Sequence, residues 1–468
     1  MSDPAGSTAG STAVRLGTTQ GRAIVAAAAL GSGMTFLDGT VVNIALKTIG
    51  EDLDATLAQL QWVSNGYLLS LASLILLGGA LGDRYGRRRM FVWGTVWFSL
   101  ASLLCGLAPT PLILIAARVL QGIGAALLMP GSLAMIQGSF HRDDRSPAIG
   151  AWSGLGGVAA AIGPFVGGVL VQYADWRWIF LLNLPLAVVT ILVARRWVPE
   201  TLDPHAPDRF DFPGSVLAAV ALGGVTYALI EWGDRPAPWI AAAALLAAVG
   251  FVAVERTSPQ PMLPLGIFAS RTFRAANGVT FLVYAALGAV LFFLVLQLQT
   301  VGGYGPLEAG IATLPLTACM LLLARRGGAL ASRIGPRIPM TLGPLIIAGG
   351  TLMLVGVGRD VNYWTDVLPG LTVFGLGLAL LVAPLTATVL AAAPDEHAGI
   401  ASGVNNAVAR AGSLLSVAAL PLGVGLGGAE YADPVAFDAA YEQAMVVCAA
   451  LLVLGGLVAG ATIRNPRG

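Results

Sequence analysis

The sequence has few charged residues and little cysteine, histidine or lysine. Charged side chains make up 11% of its 468 residues, against roughly 25% in soluble globular proteins, whereas 56% are hydrophobic. The three cysteines, Cys105, Cys319 and Cys448, lie far apart inside apolar segments, so neither a disulfide framework nor a zinc site is expected. The composition excludes an ordinary soluble protein and predicts an all-α polytopic membrane protein.

Other absences exclude whole classes of function. The only lysine, Lys47, follows leucine, so the chain has no phosphate-binding loop ending in Gly-Lys-Ser/Thr and no ATP-driven pump is expected. His141, His205 and His397 stand singly near charged loops, where we expect them to be solvated rather than bound to a metal. The net charge of +1 gives no reason to expect nucleic acid as a partner. We expect no cofactor and no metal.

Fourteen apolar runs are long enough to cross the ~30 Å hydrocarbon core of a bilayer. They fall at approximately 23–46, 58–80, 90–108, 111–136, 147–172, 177–194, 213–232, 237–254, 275–298, 306–324, 338–357, 364–392, 398–425 and 437–462. An even number of spans places both termini on the same side of the membrane.

The arginines and the lysine indicate which side that is. Twenty of the 26 basic residues fall in the tails and in the loops on the side of the termini, four fall in the opposite loops, and Arg118 and Arg410 lie within helices. Acidic residues are distributed nearly evenly: 11 lie on the side of the termini, 13 lie in the opposite loops and one lies within a helix. By the positive-inside rule, both termini are predicted to be cytoplasmic in a multi-pass protein of the plasma (inner) membrane.

One charged island stands between two apolar runs and is repeated. Residues 79–91 read GALGDRYGRRRMF, and residues 328–340 read GALASRIGPRIPM, which matches at six of thirteen positions. The first copy is predicted to be a loop at the membrane surface. The repeat indicates two similar halves of six helices separated by two extra helices. The predicted organisation is a disordered tail (1–21), a six-helix bundle (22–195), a linker with two extra helices (196–273), a second six-helix bundle (274–464) and a short tail (465–468).

At this point a family resemblance can be stated. The island 79–91 resembles the signature loop of the major facilitator superfamily. LDGTVVNIALK at 37–47, RVLQGIG at 118–124, the stretch 150–168 and WRWIFLLNLP at 176–185 are similar to motifs of its drug:proton antiporters, in particular the fourteen-helix branch. The resemblance implies the major facilitator fold with 14 transmembrane helices arranged as 6 + 2 + 6.

Asp38 is the only acidic residue in the interior of a predicted helix. It lies nine residues before Lys47, hence ~13 Å below the outer end of its helix, and Arg118 lies seven residues after Pro111, hence ~10 Å below the same surface. The two side chains are therefore expected to meet. An unpaired carboxylate at this depth costs several kcal/mol, and such groups are usually functional. We expect Asp38 to carry the coupled proton and Arg118 to tune it; a static ion pair is the alternative.

Two further motifs carry functional expectations from the resemblance. The stretch 150–168 resembles the antiporter motif, which in the family accompanies export, although Ala159 replaces one of its usual glycines. In the stretch 37–47, Lys47 replaces a usual proline. The residues of the antiporter motif are Gly150, Gly163, Pro164, Gly167 and Gly168.

The charged island 79–91 is expected to act as a latch that helps to hold the outward-open state, or else only as a topogenic anchor. Its residues are Gly79, Asp83, Arg84, Gly86, Arg87 and Arg88.

Several polar or aromatic residues on predicted helices are candidates for a substrate cavity. They are Asn43, Trp62, Tyr67, Gln121, Gln297, Asn405 and Arg410. For each residue alone, hydrogen bonding between helices is an equal alternative. Arg410 adds a second interior positive charge, which would favour a neutral or anionic substrate unless the guanidinium simply binds carbonyl groups.

The predicted function is a proton-coupled antiporter that exports small amphiphilic drugs, antibiotics or toxic metabolites by alternating access. Proton-coupled uptake of a small organic solute is the alternative. An intramembrane enzyme is not expected, because the helices hold no catalytic set of residues. The expected partners are a small-molecule substrate, protons and the lipid bilayer, and the expected state is a monomer.

Overall fold

The computed structural model describes residues 14–203, 210–394, 398–427, 431 and 433–465. Within these ranges the chain is helical, and its only β contacts are two isolated bridges. The fourteen predicted helices are present, and twelve of them are long and apolar enough to cross a membrane; α11 and α13 complete the set. The helices are α1 (Thr19–Leu53), α2 (Leu57–Tyr85), α3 (Arg87–Gly106), α4 (Pro111–Ser139), α5 (Arg142–Tyr173), α6 (Trp178–Trp197), α7 (Phe212–Ile230), α8 (Ala237–Thr257), α9 (Arg271–Thr300), α10 (Pro306–Ile334), α11 (Arg337–Met353), α12 (Tyr363–Ala391), α13 (Ala398–Gly423) and α14 (Pro434–Thr462).

Local sequence signals explain where many of these helices begin. Thr56 and Gln59 form a reciprocal capping box at the start of α2. Thr110 caps α4, and Pro111 occupies the first turn, where no backbone N–H is needed. The first helix continues to Leu53, beyond the predicted end at residue 46, because Lys47 stands where a proline would have stopped it.

The same helix pairs recur in the two halves of the chain. In the first half α2 and α3 pack on α4, α1 packs on α5 and α6, and α3 packs on α6. In the second half α10 and α11 pack on α12, α9 packs on α13 and α14, and α11 packs on α14. Each pair of the second half is the first-half pair shifted by eight helices.

The two helices between these sets lie at the periphery. α7 and α8 pack mainly on each other, and α7 also contacts α2 and α13. Only 22% and 17% of the residues in their apolar windows are buried, against 72% for α1 and 67% for α9. Trp62 on α2 donates a hydrogen bond to Glu231 at the end of α7 (3.1 Å). The hairpin therefore exposes most of its apolar surface outward.

The prediction of a disordered tail over residues 1–21 is wrong for its second part. Val14 is buried and its N–H donates to the carbonyl of Ser139 (2.9 Å), while Arg15 bridges to Asp143 and Asp144. These contacts hold the segment against the start of α5. Residues 1–13, and the predicted solvated His205 and His397, lie outside the described residues.

The prediction of a loop at residues 79–91 is also wrong. α2 runs to Tyr85 and α3 begins at Arg87, so Gly86 alone separates the two helices. Gly86 has φ +108°, a conformation that other residues rarely adopt, which explains why a single residue can reverse the chain here. The second copy is similar, with Gly335 at φ +83° followed by Pro336 between α10 and α11.

The two halves are hydrogen-bonded at the end of the molecule remote from the termini, which we call the distal end. Among the described residues, every hydrogen bond between the halves that involves a side chain lies there. The bonds join Lys47 Nζ to Gln299 O (2.7 Å), Gln299 Nε2 to Ile44 O (3.0 Å), Gln61 Nε2 to Val417 O (2.7 Å) and Leu307 N to Gln172 Oε1 (3.1 Å). The distal end is therefore the closed end of this conformation.

Candidate functional site

Asp38 on α1 and Arg118 on α4 form an ion pair in the interior of the first half. Arg118 Nη1 donates to Asp38 Oδ2, and the two residues are 0% and 1% exposed. The structure thus brings together the two side chains that were expected at matching depth. Since a buried charge without a partner is costly, each charge depends on the other.

Neutral polar groups complete the surroundings of this ion pair. Gln121 donates from Nε2 to Asp38 Oδ1 (2.8 Å) and accepts at Oε1 from Arg118 (2.6 Å). The Arg118 Nε group donates to the carbonyl of Val63 on α2 (3.0 Å). Asn183 lies 3.5 Å from Asp38 Oδ1. The guanidinium therefore has acceptors besides Asp38, and the carboxylate has donors besides Arg118.

Aromatic rings cover the arginine. The Arg118 guanidinium lies 4.5 Å from the ring centroid of Tyr67 and 5.7 Å from that of Phe180, both within cation–π range. Tyr67 is itself buried, and its hydroxyl donates to the carbonyl of Thr35 (3.2 Å). Tyr67 and Gln121, which were predicted to line a substrate cavity, thus support the ion pair.

Two members of this network were not singled out in the sequence. Ser102 on α3 accepts from Gln121 Nε2 (3.1 Å) and from Asn183 Nδ2 (3.0 Å), and it donates to the carbonyl of Phe180 (2.9 Å). Asn183 lies in the stretch 176–185, whose resemblance to the antiporter branch could have marked it. Ser102 has no comparable signal.

Three glycines of the antiporter motif allow α5 to approach other helices closely. A Cβ on Gly163 would lie 2.2 Å from Thr40 Oγ1, and one on Gly167 would lie 2.4 Å from Val41 Cγ2, both within one turn after Asp38 on α1. A Cβ on Gly168 would lie 2.7 Å from Leu307 Cα in the other half. The motif therefore packs α5 against both α1 and α10.

The remaining residues of the motif have different surroundings. Pro164 removes the backbone donor that would bind the carbonyl of Ala160, and Thr40 Oγ1 lies 3.4 Å from that carbonyl oxygen. Gly150 is exposed, with no atom within 4 Å of a Cβ placed on it, so it takes no part in this packing.

The charged island is tied to the chain that follows α6. Arg87 contacts Asp83 Oδ1 through both Nε and Nη2 (2.8 Å each), an ion pair that spans the break at Gly86. Glu200 accepts from the backbone N–H groups of Arg88 (3.0 Å) and Arg89 (3.2 Å), so its carboxylate caps the N-terminus of α3. The backbone also pairs there, with Arg87 N donating to Thr201 O (3.0 Å).

Two more latch residues have local partners. The Arg84 guanidinium lies over the rings of Tyr85 (5.8 Å) and Phe210 (5.3 Å). Gly79 lies on α2, where a Cβ would contact Pro130 at 3.7 Å. The role of the island as a latch stays a prediction, because these contacts all lie within the first half or its linker.

The other candidate cavity residues are spread over the molecule. Trp62 packs against the peripheral hairpin, and Gln297 binds the carbonyl of Val357 (2.7 Å) and Asp438 within the second half. The place of Trp62 and Gln297 in a substrate cavity stays a prediction. Asn405 donates to Thr280 (2.7 Å) and Asn277 (3.2 Å), which joins α13 to α9.

Asn43 and Arg410 remain half-buried on α1 and α13. Across the described residues, no group of three or more histidine, cysteine or acidic side chains is placed to hold a metal ion. Asp38 and Arg118 each have further hydrogen-bond partners in the network besides one another.

Comparison with known proteins agrees with this fold. The chain is 35% identical to the Tetracenomycin C resistance and export protein of Streptomyces glaucescens over 399 residues, which cover 84% of this chain and 74% of that protein. It is 37% identical to the Methylenomycin A resistance protein of Streptomyces coelicolor over 402 residues, covering 85% of this chain and 84% of that protein.

A solved structure gives the fold independently. The crystal structure of a bacterial homolog of the human lysosomal transporter Spinster superposes with a TM-score of 0.68 at 18% identity, covering 95% of this chain and 97% of that one. The family model of the Major Facilitator Superfamily matches residues 28–417. The chain therefore belongs to the Major Facilitator Superfamily.

Proposed function

We propose that this protein is a secondary antiporter that exports small amphiphilic drugs, antibiotics or toxic metabolites and takes up protons in exchange. Export of such compounds is supported by the relatives, which are named as antibiotic resistance and export proteins. The observation that carries the proton coupling is the buried Asp38–Arg118 pair, since an ionisable pair inside a membrane bundle is usually functional.

The network around Asp38 suits a group that gains and loses a proton. When Asp38 is ionised, Arg118 and Gln121 stabilise its charge. When Asp38 is protonated, the ionic attraction is lost, but the guanidinium keeps the Gln121 amide oxygen, the Val63 carbonyl and the Tyr67 ring as partners. Protonation can therefore loosen α1 from α4 without leaving Arg118 as an isolated charge.

The position of the hydrogen bonds between the halves supports alternating access. The hydrogen bonds between the halves close the distal end, so transport to that side requires them to break. The glycines of the antiporter motif join α5 to α1 beside Asp38 and to α10 across the halves. A change at Asp38 can therefore act on the interface between the halves through the packing of α1 on α5 and of α5 on α10. The latch at 79–91 is proposed to stabilise the outward-open state.

The architecture proposed for this mechanism is 6 + 2 + 6. It is supported by the helix pairs that recur with a shift of eight helices and by the peripheral position of α7 and α8. The domain boundaries proposed from the sequence, 22–195, 196–273 and 274–464, follow this division. The excess of basic residues on the side of the termini supports cytoplasmic termini in the plasma membrane. We propose that the monomer is the working unit, because the two halves of one chain pack against each other and form the interface needed for alternating access.

The proposal is tested in everted membrane vesicles, whose lumen is acidified by respiration. Susceptibility profiling of a host that expresses the protein first identifies an exported compound. Adding that compound to vesicles should then dissipate the pH gradient reported by a fluorescent dye. Asp38→Asn should abolish this response, because the variant side chain cannot carry the coupled proton.

A matched control separates coupling from folding. Gln20→Ala changes a polar side chain on the same helix that binds only the carbonyl of Trp197, and it should keep the response. Transport driven by the pH gradient in Asp38→Asn would contradict the assignment of the proton. Accumulation of the compound with protons moving in the same direction would instead indicate an uptake transporter.

A further inference from the structure

Arg410 is a cation in the middle of α13 for which the structure shows no counter-ion. Of the two basic residues predicted to lie inside helices, Arg118 is neutralised by Asp38, whereas no ion pair involves Arg410 within the described ranges. Its guanidinium also makes no hydrogen bond to a described carbonyl group, although Arg118 does so with Val63. The alternative of simple carbonyl binding is therefore not supported.

The side chain of Arg410 points across the interface between the two halves. Its guanidinium carbon lies 6.0 Å from the ring centroid of Phe36 on α1, at the outer limit of cation–π range. Arg410 is half-buried, and its guanidinium nitrogens are not among the fully buried polar atoms that lack a hydrogen-bond partner. The guanidinium is therefore accessible.

The charges of the interior do not cancel. Asp38 contributes one negative charge and is paired, which leaves the positive charge of Arg410 uncompensated at the interface of the halves. A charge at this depth in the membrane is unfavourable unless it has a partner or serves a function. A planar guanidinium beside the aromatic ring of Phe36 suits an aromatic compound that carries a carboxylate or another acidic oxygen.

We propose that Arg410 binds the acidic group of the exported compound, so that the transporter prefers anionic aromatic amphiphiles to neutral or cationic ones. The inference rests on the proposed export function and specifies its substrate class. Phe36 supplies a ring face from the opposite half, so an acidic aromatic compound would contact both halves at once. The ionised carboxylate and Arg410 would form a charge-assisted hydrogen bond.

The experiment measures binding rather than transport. Full-length protein in nanodiscs of uncharged lipid is dialysed to equilibrium against naphthylacetate, naphthylacetamide or naphthylethylamine, with empty nanodiscs as the baseline. The wild-type protein should bind the carboxylate probe roughly tenfold or more tightly than the amide, since hydrogen bonds between charged groups are the strong ones. Arg410→Gln should bring the two affinities together, and Arg410→Lys should retain part of the preference.

Arg256→Gln is the matched control, because Arg256 is exposed at the end of the peripheral hairpin and its loss changes the net charge equally. It should keep the wild-type preference. Equal or absent binding of the carboxylate probe by the wild-type protein, tightest binding of the amine, or an equal loss of all three probes in Arg410→Gln would overturn the proposal. Binding needs no proton gradient, so these outcomes are distinct from a failure of proton coupling at Asp38.

Discussion

Removing one partner of the Asp38–Arg118 pair should destabilise the protein more than removing both. Each residue is almost completely buried, and breaking a buried ion pair typically costs about 3–5 kcal/mol because one charge stays behind. Replacing both partners avoids that uncompensated charge. The double variant Asp38→Asn with Arg118→Met should therefore cost clearly less than the sum of the two single variants.

The structure also predicts an inequality between the single variants. Without Asp38, the guanidinium of Arg118 keeps the Gln121 amide oxygen at 2.6 Å, the Val63 carbonyl at 3.0 Å and the Tyr67 ring at 4.5 Å. Without Arg118, the carboxylate keeps only neutral donors, Gln121 at 2.8 Å and the amide of Asn183 at 3.5 Å. At alkaline pH, where a proton does not neutralise the remaining carboxylate, Asp38→Asn should lie near 3 kcal/mol and Arg118→Met near 5 kcal/mol, about the two limits of the general range.

The assay is reversible unfolding of the four proteins in mixed micelles, with the free energy of unfolding as the readout. Asn183→Ala serves as a reference for the loss of one weak neutral contact and should cost much less than either charge variant. Additive costs in the double variant would refute the reasoning, since residues in one buried network are expected to be coupled. A larger cost for Asp38→Asn than for Arg118→Met would refute the assignment of the remaining partners.

Three further predictions follow from contacts elsewhere. Gly168→Ala should lower transport and reduce the free energy of unfolding by roughly 1–3 kcal/mol, because its Cβ would overlap the backbone of α10. Gly150→Ala, whose Cβ would meet no atom within 4 Å, should leave transport and the free energy of unfolding unchanged. Equal effects of the two substitutions would contradict the packing. Lys47→Met should lengthen distances between spin labels on the distal ends of α1 and α9, and an unchanged distribution would argue against the seal. Asp83→Ala should slow the exchange of conformations more than Ser332→Ala, because Asp83 forms an ion pair with Arg87 on the next helix whereas Ser332 donates to the carbonyl of Ala329 on its own helix. Stopped-flow fluorescence measures both rates, and equal rates would mean that the latch lies elsewhere.

The sequence predicted the number and the type of the helices because a membrane span has a fixed minimum length. Apolar runs of about 20 residues are long enough to be read without knowledge of their neighbours. The ends were less predictable, since amphipathic helices continue into the headgroup region. α10 was predicted to end at residue 324 and continues to Ile334, and α2 continues five residues past its predicted end, through what was taken for a loop.

The depth of a residue along a helix could be predicted, but its direction around the helix could not. Asp38 and Arg118 were matched by counting residues from the ends of their helices, which the rise of the α-helix allows. Whether a side chain faces the interface of the halves, a neighbouring helix or the hairpin depends on how each helix is rotated in the bundle. The hydrogen-bond partners of Trp62 and Gln297 could therefore not be predicted, and Ser102 and Asn183 went unnoticed.

The contact that holds the charged island was hidden for a related reason, because its partner lies more than a hundred residues away. Glu200 caps α3 three residues after α6 ends, and Asn465, three residues after α14 ends, accepts from the backbone N–H of Arg337 at the start of α11 (3.1 Å). The sixth helix of each proposed half is thus followed at the same distance by a side chain that caps the third helix. The cap in the first half, Glu200, is charged, and the cap in the second half, Asn465, is neutral. The repeat shows the same difference at another position, where Asp83 of the first copy is replaced by Ser332 in the second. The two repeats keep the same architecture, but only the first combines a charged cap with an ionic pair, so any latch that responds to the state of the transporter should reside in the first half.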